Sequence, residues 1–171
     1  MSAQAAFRTK ILFDTNQLLQ RAKSEEEILS QTASQLMKLL NRSLIVYPEQ
    51  NGGLGAEQVF GVDGETAQNI FSAPEERDAA NWTFANKKRS GAGTDSYPDA
   101  KGLYLALRTG GGVFGVIGID LSEKTLDAFE NSVLLSILGE GALAIENRRN
   151  ALEKEQAALD IEQLKINWND K

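Results

Sequence analysis

The sequence predicts an α+β domain, an antiparallel sheet flanked by helices, with long N- and C-terminal helices. Three observations carry this. Apolar periodicity runs helix, helix, strand, strand, helix, strand, strand, helix, the order of an antiparallel sheet under helical cover. Residues 103–108 and 113–120 are two β-rich runs joined by Thr109-Gly110-Gly111-Gly112, the strongest hairpin in the chain. Leu138, Ile145, Leu152, Leu159 and Ile166 recur every seven residues along a helix expected from about residue 125 to 166.

The elements follow in order. Phe7, Ile11, Leu18 and Ala22 share a stripe, with Leu12 and Leu19 beside it, so residues 7–22 read as a helix. Ser24 and Glu27 form a capping box for a second helix, whose Leu29, Ala33, Leu36 and Leu40 are helically spaced and which Asn41 stops. Residues 43–47 read as a buried strand ended by Pro48, residues 49–55 as a loop, and residues 56–60 as a short strand. After a turn at residues 61–64, Ser72 with Glu75 marks a helix start, and that helix runs to about Asn86 with Ala80 and Phe84 inward. Lys87-Lys88-Arg89 sits at its end, either offsetting the helix dipole or holding an anionic ligand. In the hairpin, Leu103, Leu105 and Leu107 share one face, and Gly115 and Gly118 anticipate a helix lying across the sheet. The second seam of the last helix is poor, so the sevenfold spacing predicts a weak dimer helix.

Composition bounds the function. The chain has 171 residues, 42% hydrophobic and 25% charged, with 24 acidic against 18 basic residues and a formal charge of −6. That balance argues against nucleic acid and against an anionic membrane surface as the main partner. There is no cysteine and no histidine. Their absence excludes disulfides, a thiol nucleophile, Cys/His zinc sites, a Ser-His-Asp triad and phosphohistidine on this chain. No P-loop or dinucleotide fingerprint is present, and no cofactor or metal site is expected. Val113 to Ile119, the longest strongly apolar run, is far short of the roughly 20 residues a membrane span needs.

The most distinctive stretch is residues 82–107, WTFANKKRSGAGTDSYPDAKGLYLAL. Gly91 and Gly93 allow positive φ or a close backbone approach, and Thr94 and Asp95 can bond local N–H groups. The stretch reads either as a structural turn or as the wall of a small pocket. Its Trp82, Phe84, Gly91, Ala92, Gly93, Thr94, Asp95, Pro98 and Leu107 resemble the pattern of the GAF domains of KdpD sensor histidine kinases, which control bacterial potassium uptake. Ser90, Ser96-Tyr97 and Ala106 depart from that pattern. The resemblance extends from about Arg8 to the last helix.

It implies a GAF-like, PAS-related fold in a two-component sensor, cytoplasmic, with any membrane helices upstream of residue 1 in a longer parent. It implies signal input and transmission rather than catalysis by these residues. Residues 1–23 would be an N-terminal linker helix, 24–145 the sensory domain, and 146–171 a signalling and dimerisation helix. The expected partners are a second copy through the terminal helices and a small-molecule ligand. Trp82, Gly91, Gly93, Thr94 and Asp95 are the candidate ligand-binding residues.

Overall fold

The computed structural model describes residues 2–169. In chain order it contains α1 (Ala3–Arg21), α2 (Glu25–Leu40), β1 (Leu44–Gln50), β2 (Gly53–Leu54), β3 (Gln58–Phe60), α3 (Gly64–Phe71), α4 (Pro74–Asn86), β4 (Ser90–Gly91), β5 (Gly102–Thr109), β6 (Gly112–Asp120) and α5 (Ala128–Asn169). The fold is α+β, an antiparallel sheet flanked by helices with long helices at both ends. The outer ends of the first and last expected units, residues 1 and 170–171, lie outside the described residues.

The β5–β6 hairpin is the middle of the sheet. The strand order is β2-β1-β6-β5-β4, and β3 also pairs with β1. All pairings are antiparallel. Strand alternation sorts the side chains onto two faces. Leu44, Val46, Leu103, Leu105, Leu107, Ile117 and Ile119 point toward α1, α2 and α5 and form the larger core with Leu36, Leu134 and Ile137. Ile45, Tyr47, Tyr104 and Val116 point the other way and pack with Phe71, Ala79 and Ala80 of α3 and α4.

The predicted caps are present at α2. Ser24 Oγ accepts from Glu27 N at 3.0 Å, while the Glu27 carboxyl reaches back to Lys23 N at 2.8 Å. Asn41 closes the helix in the left-handed region at φ 50°. Local expectations fail at five places. Pro48 does not end the first strand, because β1 runs on to Gln50. Pro48 lies between Val46, the last residue paired to β3, and Glu49, the first paired to β2, so its missing N–H falls in the gap. The expected loop at 49–55 is instead a hairpin turning on Asn51 and Gly52, at φ 54° and 82°. That Asn-Gly pair is the signature of a two-residue hairpin turn.

Ser72 does not cap the next helix. It donates to Asn69 O at 3.0 Å and closes α3, a helix the periodicity did not reveal, while α4 starts from Ala73 with Pro74 in its first turn. Gly118 is not cleared for a helix: a Cβ there would meet the Tyr104 ring at 2.3 Å and Ile45 at 2.7 Å. The hairpin glycines also behave differently from expectation. Of Gly110, Gly111 and Gly112 only Gly112 has positive φ, and the pairing slips one residue between Leu107 and Arg108, leaving Phe114 as a bulge.

Helix α5 is long and apolar enough to cross a membrane by length and composition. Within it Val133, Leu134, Ile137, Leu138, Ala142 and Ile145 are buried in the core, whereas Leu135 and Leu143 are exposed. From Asn150 onward every described residue is exposed. The sevenfold series is therefore divided. Leu138 and Ile145 pack inside their own domain, whereas Leu152, Leu159 and Ile166 face solvent.

Candidate functional site

The loop after α4 is fixed from below. Lys87 ends the helix in the left-handed region, its N–H bonded to Thr83 O at 2.8 Å. Ser90 Oγ then donates to Ala79 O and meets Thr83 Oγ1, both at 2.7 Å and buried. These bonds press β4 against α4 and set Gly91 beside β5. Gly91 has φ 91°, and a Cβ on it would lie 2.0 Å from Gly102 O. No other residue fits there. Gly93, at φ 78°, has open space around it.

Thr94 stitches the turn. Its hydroxyl lies 2.8 Å from Gly91 O and 2.9 Å from Ser96 O, and Gly91 N donates to Ser96 O at 2.7 Å. Asp95 is exposed at the tip. Gly91, Gly93, Thr94 and Asp95 are thus brought into one turn. Trp82 stays on α4, half-buried, its carbonyl accepting from Asn86 Nδ2 at 2.9 Å. Gly91 and Thr94 have structural duties; Gly93 and Asp95 are presented outward.

Behind this turn lies a residue that sequence reasoning missed. Glu76 is 2% exposed, and its carboxyl oxygens accept from Lys101 N and Gly102 N at 2.9 Å and from Tyr104 OH at 2.8 Å. It anchors the start of β5, the same strand end that Gly91 approaches. Burial pushes the Tyr104 hydroxyl far above its ordinary range, and the neighbouring Glu76 raises it further. Burial also raises Tyr47, whose ring lies 5.3 Å under the Arg77 guanidinium. The signal existed in the sequence: Glu76, Ala79, Ala80 and Thr83 make one buried helical stripe. Beside Glu75, however, Glu76 looked like ordinary first-turn acidity.

A second cluster lies where α5 leaves the domain. Arg149 grips Glu25 of α2 with Nε and Nη2 at 3.0 and 2.8 Å, and Nη2 also reaches Glu49 of β1 at 2.9 Å. Its guanidinium sits 5.1 Å over the bulged Phe114 ring. These contacts hold its proton more firmly than usual; the bond to Glu25 is the main cause. The clamp walls a groove of about 630 Å³ between α2, β1 and β3. Between α1 and α5 a further groove of about 440 Å³ contains Glu140, whose Oε2 is buried with no hydrogen-bond partner. Burial raises that carboxyl above its usual range. Among the described residues, no cluster of three or more acidic side chains is placed to hold a metal.

An antiparallel sheet held between two helical layers, with a glycine turn beside its edge strand and a terminal helix running out of the domain, defines the class. The GAF domain family matches residues 24–147, and the chain belongs to that family. It is 29% identical over 163 residues to the sensor protein KdpD of Clostridium acetobutylicum, covering 95% of this chain and 18% of that protein's length. In structure it is similar to the GAF domain of the potassium sensor histidine kinase KdpD from Escherichia coli, with TM-score 0.62 and 20% identity over 88% of this chain and 99% of that one. The GAF domain of an Acinetobacter phosphoenolpyruvate-protein phosphotransferase is nearly as similar, with TM-score 0.60 and 13% identity over 88% and 97%. At these identities the structural likenesses speak for the fold.

Proposed function

We propose that this chain is the cytoplasmic sensory GAF domain of a KdpD-like two-component sensor histidine kinase, carrying input through the domain body into α5. In this reading the kinase activity and the response to potassium belong to the longer parent. The observation that carries the proposal is α5 itself. One helix is both a wall of the core, through Leu134, Ile137 and Ile145, and an exposed rod from Asn150 to Asn169. A change in domain packing therefore has a rigid path outward. Leu152, Leu159 and Ile166 on that rod are exposed among the described residues and supply the contact to a second copy, giving a homodimer through the terminal helices. The 29% identity to a KdpD protein along nearly the whole chain supports the parent class.

The turn at Gly91, Gly93, Thr94 and Asp95, together with Trp82 on α4, is the proposed ligand-responsive element. Asp95→Ala is expected to alter signalling in the parent kinase while the isolated domain melts cooperatively. Equal loss of folding and signalling would return Asp95 to a structural role.

The transmission reading is tested by helix phase. One residue inserted between Asn150 and Ala151 rotates everything beyond it by about 100°. Seven residues nearly restore the face. In the full parent kinase, one inserted residue is expected to lock output high or low, and seven to restore regulation. Wild-type regulation in both would leave the segment a passive linker.

A further inference from the structure

The end of α4 carries Lys87, Lys88 and Arg89, and the end of β5 brings Arg108 beside them. Leu135 and Gly139 of α5 form the opposite wall of a groove of about 250 Å³. All four cations are exposed, and among the described residues no acidic side chain lines the groove, in a chain whose net charge is −6. The ion pairs among the described residues use Arg42, Arg77 and Arg149, none of these four. Among the described residues Arg89 bonds to a neutral partner, Asn131 Oδ1 at 2.8 Å. The carbonyl end of α4 accounts for cations at residues 87–89. It does not account for Arg108, which comes from another element.

Gly139 is the second observation. It lies inside α5, where glycine is unfavourable relative to alanine. Among the described residues no neighbour requires it: a Cβ there would meet nothing within 4 Å beyond its own helix backbone, whereas one on Gly141 would strike Thr32 Oγ1 at 2.7 Å. Gly139 lines the groove and leaves its α5 wall open there. Leu135, 48% exposed, adds an apolar edge.

We propose that this groove binds a small polyanion of the di- or triphosphate class. Several unneutralised cations converging on so small a space call for several negative charges on one compact group. Arginine forks suit phosphate oxygens bidentately, and lysine ammonium groups serve as point charges. None of Gly91–Asp95 lines this groove, and the proposal does not depend on the kinase reading. A ligand here would bear directly on α5.

The test is calorimetric titration of the 171-residue chain with sodium tripolyphosphate, free of divalent metal and at constant ionic strength. One saturable site is expected. Lys88→Glu with Arg108→Glu is expected to weaken binding at least tenfold, about 1.4 kcal/mol. Gly139→Leu keeps every charge but fills the groove; it too is expected to weaken binding about tenfold. The same variant is expected to melt no lower than wild type, because leucine is the better helix former. No binding would overturn the proposal. So would tripolyphosphate binding that Gly139→Leu leaves unchanged, because diffuse attraction needs no groove. Equal or tighter binding of a hexaglutamate peptide or of phosphatidylglycerol vesicles would overturn it in favour of a peptide or membrane surface.

Discussion

The face of the sheet under α2 and α5 is closed by hydrocarbon: Leu36, Leu44, Leu107, Ile117, Leu134 and Ile137 are all buried there. The buried Thr32 on that side turns its hydroxyl back to Ile28 O of its own helix, and the one cross-helix bond of a buried hydroxyl described there is from Gln35 Nε2 to Thr15 Oγ1 at 3.1 Å, away from the sheet. The face under α3 and α4 buries Glu76, Thr83 and Ser90 beside Tyr47 and Tyr104, and each of these polar groups is tied to a neighbouring element. The first face tolerates small shifts, because apolar contact is non-directional. The second is directional, since a buried polar group that loses its partner carries the full desolvation cost. A domain built this way has one face suited to sliding against a long helix and one suited to holding a loop in register.

Glu76→Ala tests the polar face most severely. It strands two backbone N–H groups and the Tyr104 hydroxyl, and is expected to cost about 4 kcal/mol in urea unfolding. Leu36→Ala is the matching lesion in the apolar face, with an expected loss of about 3 kcal/mol from lost transfer energy and a cavity. Alkali separates the two faces without mutation. Tyr47 and Tyr104 have folded-state pKa values raised above those of the unfolded chain, where tyrosine ionises near 10. Above about pH 10 the unfolded state has released more protons, so stability falls as pH rises, by up to about 1.4 kcal/mol per pH unit for each tyrosine. Tyr104→Phe removes one share of that slope, whereas Leu36→Ala should leave it unchanged; unfolding midpoints between pH 9 and 11 measure both. The smallest effect is expected from Arg149→Gln. Its pairs are partly solvated, so the loss should be below about 1 kcal/mol and should shrink in 1 M salt.

The apolar face was legible in the sequence because it repeats. Leu29, Ala33, Leu36 and Leu40 along one helix, and Leu103, Leu105 and Leu107 along one strand, announce their period. The polar face has no period to announce. Glu76 looks like any first-turn acid until β5 folds back over it, and Ser90 gains meaning only when Ala79 O and Thr83 arrive from α4. The short helix α3 escaped for a related reason. It has only Ala67 and Phe71 as its buried pair, too few positions to show a stripe. The β1–β2 turn was readable from Asn51-Gly52, but Pro48 just before it suggested a strand end.

The sevenfold series shows the opposite limit. Its spacing is real, yet spacing alone does not tell a core contact at Ile145 from an exposed one at Leu152. The candidate turn was recognised from its glycines, but the sequence does not separate Gly91, wedged against Gly102 O, from Gly93, which touches nothing.

The Arg149 clamp also has a mechanical meaning. It holds α5 at the last point where the helix touches its domain, between α2 on one side and the sheet on the other. The exposed helix beyond it, Asn150 to Asn169, extends about 30 Å at 1.5 Å per residue. Arg149 is therefore the fulcrum of a lever. A tilt of about 10° there, small enough to leave the core intact, moves the far end by about 5 Å, the rise of one helical turn.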